Sequence, residues 1–217
     1  MITNFGKHVS LLTEWMNELR DVDIQTDRLR FRKNLERIGE IMAYEISKKI
    51  LWNEKEIQTP LGIHNSKTLT QQPVLATILR AGLPLHNGLL NFFDKADNAF
   101  ISAYRKHKRD GSFEISLEYL SCPSIENRVL IIADPMLATG SSMVAALQSL
   151  LHYGTPSEIH VVCAIAATEG IDYIVRELGE KIYIWCGDID DELTAKGYIV
   201  PGLGDAGDLS FGPKSQF

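Results

Sequence analysis

Residues 129–142, VLIIADPMLATGSS, are the most informative segment of this chain for predicting its fold. Its first part, Val129–Ala133, is a continuous apolar run typical of a strand buried on both faces. Asp134 follows at the strand end, and a loop of small residues then enters a predicted helix with the apolar residues Met143, Val144, Leu147, Leu150 and Leu151. Because the first N–H groups of a helix are unpaired and its dipole is positive there, this connection predicts a phosphate cradle.

The polar residues of this connection also fit a second interpretation. Thr139, Ser141 and Ser142 are residue types that cap helix N-termini, and a plain strand–helix connection would use them in the same places. Gly140, which lets the backbone approach a ligand closely, suits the cradle. The residues of this segment alone leave the two interpretations evenly balanced.

Strand and helix patterns alternate on both sides of this segment. The predicted strands are Val74–Leu79, Ala99–Tyr104, Ile159–Ala167 and Lys181–Trp185. The predicted helices are Pro84–Phe93, the one that closes at a Gly154 C-cap, and Ile171–Leu178. This alternation predicts an α/β fold with a mainly parallel central sheet flanked by helices, which binds its ligands beyond the carboxyl ends of the strands.

Two further regions complete the predicted domain, which spans residues 1–217. Apolar residues recur at helical spacing from Leu11 to Ile50, so we expect an N-terminal helical part at about residues 8–52, before a core at about 70–187. The alternation from Phe113 to Tyr119 predicts a half-buried strand. With the basic stretch RKHKRDG, residues 105–111, it predicts a small hood or flap.

The composition excludes several classes of protein. The chain has 217 residues, a hydrophobic fraction of 45% and a net charge of −6, which suits a globular domain without a broad basic surface for nucleic acid. Its three cysteines are scattered, which fits a reducing compartment. The N-terminus lacks the pattern of a signal peptide, and the apolar runs are too short to span a bilayer. We therefore expect a cytoplasmic protein without membrane contact.

The segment DPMLATGSS resembles the phosphoribosyl pyrophosphate (PRPP)-binding loop of the uracil phosphoribosyltransferase family, which has the type I phosphoribosyltransferase fold. Its single acid followed by proline is typical of the uracil branch, whereas Ser141 stands where glycine is more common. The resemblance implies that Asp134 holds the ribose hydroxyls. It also implies that the whole loop contacts PRPP, through Asp134, Pro135, Met136, Leu137, Ala138, Thr139, Gly140, Ser141 and Ser142.

Two arginines resemble the pyrophosphate-binding residues of the same family. Arg80 lies in ILRAGL, residues 78–83, a loop that often contains a non-proline cis peptide in related enzymes. Arg105 follows Tyr104 at the end of a predicted strand, like the family's Tyr-Arg pair. A guanidinium can grip diphosphate oxygens in a fork, so both residues are predicted to be catalytic and to bind PRPP.

The segment YIVPGLGDAGD, residues 198–208, matches a dinucleotide fingerprint in its glycine spacing, but too few residues follow it for the helix and acid that the fingerprint needs. It resembles instead the uracil-binding loop of the family. The resemblance implies that the Ile199 carbonyl accepts the uracil N3–H and that N–H groups near Gly204 and Ala206 meet a uracil carbonyl. Asp205 lies in the same loop and is predicted to be a uracil-binding residue and also a catalytic residue that contacts PRPP or its metal-bound water.

The resemblance also implies a reaction, a cofactor and partners. Uracil and PRPP would give UMP and pyrophosphate, with Mg²⁺ held mainly through PRPP oxygens and water rather than by a protein metal site. GTP is a candidate effector, and a homodimer or larger homo-oligomer is expected. Alternatives are a purine or orotate phosphoribosyltransferase and a nucleotide-sensing regulator without activity. The acidic run from Asp188 to Glu192 is interpreted as a solvated turn.

Overall fold

The architecture of the protein is set by one central sheet. The structure is a computed structural model that describes residues 1–107, 113–179 and 181–214, without the side chains of 103–107 and 113–117. Its strand order is β1-β10-β9-β7-β4-β5-β6, with β8 paired to β9. Neighbouring strands are parallel except β5 and β6. The strands are β1 (Ile2–Asn4), β4 (Val74–Leu79), β5 (Asp97–His107), β6 (Phe113–Ser121), β7 (Val129–Ala133), β8 (Met136–Leu137), β9 (Glu158–Ala167) and β10 (Ile182–Asp190).

Helices cover both faces of this sheet, as the sequence predicts. One face packs on α1 (Leu11–Arg20), α2 (Arg28–Ser47), α3 (Leu83–Phe92) and the short α6 (Ala206–Phe211). The other face packs on α4 (Ser141–Leu150) and α5 (Thr168–Leu178). Alternate strand residues serve the two cores: Leu75 faces the first and Val74 the second. The predicted α/β class with a mainly parallel sheet is therefore confirmed.

Two helices of the first face meet at glycines. A Cβ on Gly39 of α2 would collide with the carbonyl oxygen of Leu85, and one on Gly88 of α3 would collide with that of Glu36. The two backbones are therefore in direct contact. This contact fixes α3, whose N-terminus follows the Arg80 loop, against the N-terminal helices.

Several elements differ from the sequence-based expectation. Residues 52–69 form an antiparallel hairpin of β2 (Trp52–Thr59) and β3 (Gly62–Leu69) that the sequence analysis did not identify. Strand β10 continues to Asp190, so the interpretation of the acidic run as a solvated turn is wrong at its start. Asp190 is buried there because Arg20 neutralises it. Part of the predicted flap at 105–111 lies outside the described residues.

The long helices give no sign of a bilayer segment. Within residues 1–107, 113–179 and 181–214, no helix is both long and apolar enough to cross a membrane.

Candidate functional site

Two of the predicted loops leave adjacent parallel strands at the same edge of the sheet. Thr77 of β4 pairs in register with Ala133 of β7, and its Oγ1 donates to the Ala133 carbonyl at 3.2 Å. A Cβ on Gly82 would lie 2.7 Å from the same carbonyl oxygen, so only glycine fits there. Arg80 and Asp134, which follow these strand ends, are thus brought to one site.

Strand β9 holds the predicted phosphate loop through backbone hydrogen bonds. The Asp134 N–H donates to the Val162 carbonyl at 3.0 Å. The Pro135 carbonyl accepts N–H groups of Ala164 and Ile165 at 3.1 and 3.0 Å. The short strand β8 adds further pairing with β9, and the Leu137 side chain is buried in the second core. Any ligand contact at position 137 therefore falls to the backbone.

Gly140 forms the entry of the loop into α4. It is the N-cap in the left-handed region, with φ 78°, and offers no side chain to cap the helix, while Thr139 Oγ1 accepts the Ser141 N–H at 3.4 Å. A Cβ on Gly140 would lie 2.8 Å from the Gly170 carbonyl oxygen. Gly170 itself leaves no space, because its Cβ would collide with the Ala138 carbonyl. The first turn of α5 therefore packs directly against the loop. The N-cap position of α4 carries no side chain, which suits the binding of an anion there.

Ser141 occupies the first helical position rather than the strained one. Since Gly140 takes the positive φ, a side chain at 141 needs no unusual backbone. The Thr139 Oγ1 donates to the Ser141 Oγ at 3.2 Å. Both hydroxyls line a cleft of about 690 Å³ outside the loop, together with Thr168, Glu169, Asp172, Tyr173, Arg176 and Asp191. The substitution of glycine by serine at 141 is thus compatible with the loop geometry.

Arg80 connects its own loop, residues 78–83, to the predicted uracil loop. The Leu79–Arg80 peptide is cis, as the family resemblance implies. The Arg80 guanidinium pairs with the Asp208 carboxylate at 2.6 Å, and both side chains are more than a third exposed. Gly207 lies beside this pair, since its Cβ would be 3.6 Å from Arg80 Nε. Sequence reasoning did not single out Asp208, although its place in the predicted uracil loop was the available signal.

The predicted uracil loop is fixed by buried side chains and ends in a helix. Strand β12 (Ile199–Val200) pairs with β11 (Glu192–Leu193), and the Val200–Pro201 peptide is cis. Gly204 is exposed with φ 90°, so glycine is required there by conformation rather than by crowding. The apolar side chains of this loop, Ile199, Leu203 and Ala206, are buried in the first core. The loop can therefore present backbone groups outward.

The segment predicted as a loop at residues 198–208 becomes helical after Asp205. Helix α6 begins at Ala206, and Asp205 is its N-cap, with Oδ1 accepting the Asp208 N–H at 3.0 Å. The other carboxylate oxygen of Asp205 lies 3.7 Å from Lys214 Nζ. Asp205 thus has a structural task in addition to any contact with a substrate.

The second predicted arginine is only partly described. Arg105 belongs to β5, opposite Ile115 of β6, but its side chain lies outside the described residues. Lys108 and Arg109 also lie outside them. In the part of the chain that is described, no group of three or more histidine, cysteine or carboxylate residues could hold a metal ion.

Comparison with known proteins agrees with this geometry. The family model for uracil phosphoribosyltransferase matches residues 7–213. A uracil phosphoribosyltransferase of Porphyromonas gingivalis is 51% identical over 213 residues, which cover 98% of this chain and 99% of the relative. Another, of Methanothermobacter thermautotrophicus, is 39% identical over 88% of this chain and 87% of its own length.

Solved structures show the same fold. The AQ2163 protein from Aquifex aeolicus superposes with a TM-score of 0.86 at 32% identity, over 98% of both chains. A hypoxanthine phosphoribosyltransferase from Staphylococcus aureus superposes with a TM-score of 0.50 at 14% identity, over 75% of this chain and 76% of the other. This second similarity concerns the fold alone.

Proposed function

The chain belongs to the uracil phosphoribosyltransferase family, and from this premise we propose how its residues join uracil to PRPP. The reaction makes UMP and pyrophosphate: a bond forms between uracil N1 and ribose C1 while the bond from C1 to the pyrophosphate oxygen breaks, and the N1 proton passes to a pyrophosphate oxygen or to water. The observation that carries the assignment of roles is the meeting of three loops at one sheet edge. The ion pair between Arg80 and Asp208 joins two of them.

The phosphate loop is proposed to bind the 5′-phosphate. The N-terminus of α4 and the hydroxyls of Thr139, Ser141 and Ser142 supply donors to an anion. Asp134 is proposed to accept hydrogen bonds from the ribose hydroxyls. Because β9 and Gly170 hold the loop from behind, the donors are arranged before PRPP arrives, which limits the entropy lost on binding.

Arg80 and Arg105 are proposed to stabilise the negative charge that builds on pyrophosphate as it leaves. The leaving group carries most of the developing charge, so a fixed cation near it lowers the barrier. Asp205 is proposed to reach PRPP or a water bound to its metal ion. No described side chain is needed as a general base on this scheme, since positioning supplies much of the rate.

Magnesium fits this site as a companion of PRPP. Hard oxygen ligands suit Mg²⁺, and the diphosphate supplies several of them. Asp134 and Asp205 come from different loops, and we propose that they reach the ion only through the substrate or water. When bound, the ion would neutralise the charge on the pyrophosphate.

Uracil is proposed to be read by backbone groups between Ile199 and Ala206. The buried side chains of the loop leave its peptide groups for the carbonyl and N3–H edge of the base. Cytosine presents an amino group and an acceptor instead, which would leave loop groups unpaired at about 1–3 kcal/mol each. A panel of uracil, cytosine, hypoxanthine and orotate, assayed with PRPP and Mg²⁺, tests this. Turnover of a base other than uracil at a comparable rate would contradict the assignment.

Asp205→Asn tests the charge of Asp205 apart from its helix cap. Asparagine caps helices as well as aspartate does, so the fold should be unchanged. Loss of a charge-assisted contact of about 1.5–3 kcal/mol should lower kcat roughly tenfold or more, with uracil still preferred over cytosine. Turnover measured beside the melting temperature checks this, and wild-type kcat in the variant would remove Asp205 from the catalytic residues.

We also propose a homo-oligomer, activation by GTP and a cytoplasmic location, each on fewer observations. A homo-oligomer is supported by the β2–β3 hairpin, where Leu61 is 100% and Ile63 66% exposed. Analytical ultracentrifugation tests it, and initial rates with and without GTP test activation by that nucleotide. A cytoplasmic location is supported by the free thiols of Cys122, Cys163 and Cys186.

A further inference from the structure

An arginine far from the substrate loops in sequence reaches the predicted uracil loop. Arg20, the last residue of α1, grips Asp190 with both terminal nitrogens, Nη1 to Oδ2 at 2.9 Å and Nη2 to Oδ1 at 2.9 Å. Nη1 also donates to the carbonyl of Gly202 at 3.1 Å. The fork fixes the orientation of the guanidinium, because two parallel bonds to one carboxylate allow little rotation.

Both backbone polar groups of Gly202 are held by this pair. Its N–H donates to Asp190 Oδ2 at 2.8 Å, while its carbonyl accepts from Arg20. Gly202 has φ 61°, and a Cβ there would collide with the carbonyl of Ile199. The clamped residue therefore lies against the carbonyl group that is proposed to accept the uracil N3–H.

The clamp is shielded from solvent. The side chain of Asp190 is 7% exposed and that of Arg20 19%, so the interaction is weakly screened. Burial acts to raise the pKa of Asp190, but the hydrogen bonds from Arg20 and from the Gly202 N–H hold it below its usual value. The carboxylate thus stays charged as an acceptor for both partners. Asp188, by contrast, contacts Arg20 at 2.8 Å and is 39% exposed.

The loop between α1 and α2 adds a second contact. Gln25 Nε2 donates to the Arg20 carbonyl at 3.2 Å, and its Oε1 would lie 3.9 Å from a Cβ on Gly204. The C-terminal end of α1 is thus next to two glycines of the predicted uracil loop.

We propose that Arg20 and Asp190 are positioning residues for uracil: they fix Gly202, and through it the Ile199 carbonyl, in the orientation that reads the base. This inference rests on the proposed role of residues 199–206. On this proposal the two residues act only through Gly202 of the predicted uracil loop, so their effect is on uracil binding rather than on PRPP binding. A salt bridge that served only the fold would alter stability without distinguishing uracil from PRPP.

The decisive experiment is steady-state kinetics of Arg20→Lys with each substrate varied in turn. Lysine keeps the charge beside buried Asp190, so the fold should hold, but it cannot grip Asp190 and Gly202 together. The KM for uracil should rise about tenfold with the KM for PRPP within about twofold, since a small misplacement of a binding group has large effects. Arg20→Gln should give a larger rise of the same kind.

Two control variants separate positioning from general stability. Asp188→Asn removes a partner of the same arginine that does not touch Gly202, and Arg30→Gln breaks the exposed ion pair with Glu18 that links α1 to α2. Both should leave the two KM values near wild type. The proposal is overturned if Arg20→Lys, folded by its melting temperature, keeps the wild-type KM for uracil or raises both KM values equally. If Arg20→Gln does not fold, Arg20→Lys decides the question alone.

The wild-type enzyme distinguishes failure of this inference from failure of the proposed function. Formation of UMP from uracil and PRPP by the wild-type protein tests the activity itself. If that reaction occurs but the two KM values do not separate in Arg20→Lys, then only the clamp is wrong.

Discussion

The two ligand loops are held in place by different parts of the chain. The phosphate loop, residues 134–142, is fixed by backbone hydrogen bonds to the neighbouring strand β9 and by close glycine contacts with α5. The predicted uracil loop, residues 198–208, buries three apolar side chains in the first core, and its polar contacts to other elements include charged side chains. Arg20 donates directly to the Gly202 carbonyl, Asp190 accepts the Gly202 N–H, and Arg80 pairs with Asp208.

This difference has a physical consequence for how each loop responds to mutation. Backbone bonds to a sheet persist when a single side chain is changed, so the phosphate loop is sensitive mainly at glycines. Side-chain ion pairs can be removed one at a time, so the predicted uracil loop depends on individual charged residues. We therefore expect the phosphate loop to tolerate most single substitutions except those at its crowded glycines. The predicted uracil loop should respond to substitution of individual charged residues.

The largest effect is expected at Arg80, which lies in the neighbouring loop at residues 78–83 and pairs with Asp208 of the predicted uracil loop. Arg80→Ala removes the cation proposed to face pyrophosphate and also frees Asp208, so kcat should fall about 10²–10³-fold. Lys33→Ala, which breaks an exposed pair with Glu36 on α2, is the control and should keep wild-type turnover. Rate measurements at saturating substrates decide this. Equal small losses in both variants would remove Arg80 from the reaction centre.

A glycine change in the phosphate loop should come next. In Gly140→Ala, positive φ and the nearby Gly170 carbonyl both oppose the new Cβ, so the loop must move and the KM for PRPP should rise about 100-fold. Gly179→Ala is a matched control, because Gly179 has φ 85° and nothing within 4 Å of the added Cβ. It should lose some stability and keep its KM values. The same KM for PRPP in Gly140→Ala and Gly179→Ala would mean that crowding at Gly140 is unimportant.

The corresponding change in the other loop is Gly204→Val. Here the strain comes from φ alone, since the nearest atom to an added Cβ is Leu209 Cδ1 at 3.7 Å. A cost of about 1–2 kcal/mol should raise the KM for uracil roughly tenfold and leave that for PRPP unchanged. Isothermal titration calorimetry with PRPP alone gives the Kd for PRPP, which should also be unchanged. If PRPP binding weakens as much as uracil binding, the two loops are not independent.

The smallest effect is expected for Thr139→Val. This change removes one hydroxyl from the phosphate loop at nearly constant volume, and β9 still holds the backbone. A lost hydrogen bond of about 1 kcal/mol should weaken PRPP binding roughly fivefold. A much larger loss would indicate that the Thr139–Ser141 hydrogen bond is needed for the loop shape.

The elements that the sequence predicted are those with a buried apolar face. Strands β4, β7 and β9 and helices α3, α4 and α5 each show a run or period that burial requires. The β2–β3 hairpin was missed because its residues are exposed on both faces, so no alternation marks it. Strand β10 was cut short because Asp188 and Asp190 look solvated until Arg20 is placed beside them.

The residues of the candidate site also fall into two groups, those that a local motif predicts and those that only the fold reveals. The loops at Arg80, at 134–142 and at 198–208 could be located because each carries a local motif. The partners that hold the last of them could not, since Arg20 and Asp190 are 170 residues apart in the chain. Asp208 was within the quoted motif, but only the fold shows that its carboxylate meets Arg80.

On the proposed role of Arg80, its ion pair with Asp208 would make ligand binding an exchange of partners. The guanidinium proposed to meet pyrophosphate is already neutralised in the free protein, so its contribution to PRPP affinity is the difference between two ion pairs. The same exchange runs backward after the reaction. As pyrophosphate departs, Asp208 is at hand to take the cation back, which favours product release over retention of a tightly bound anion.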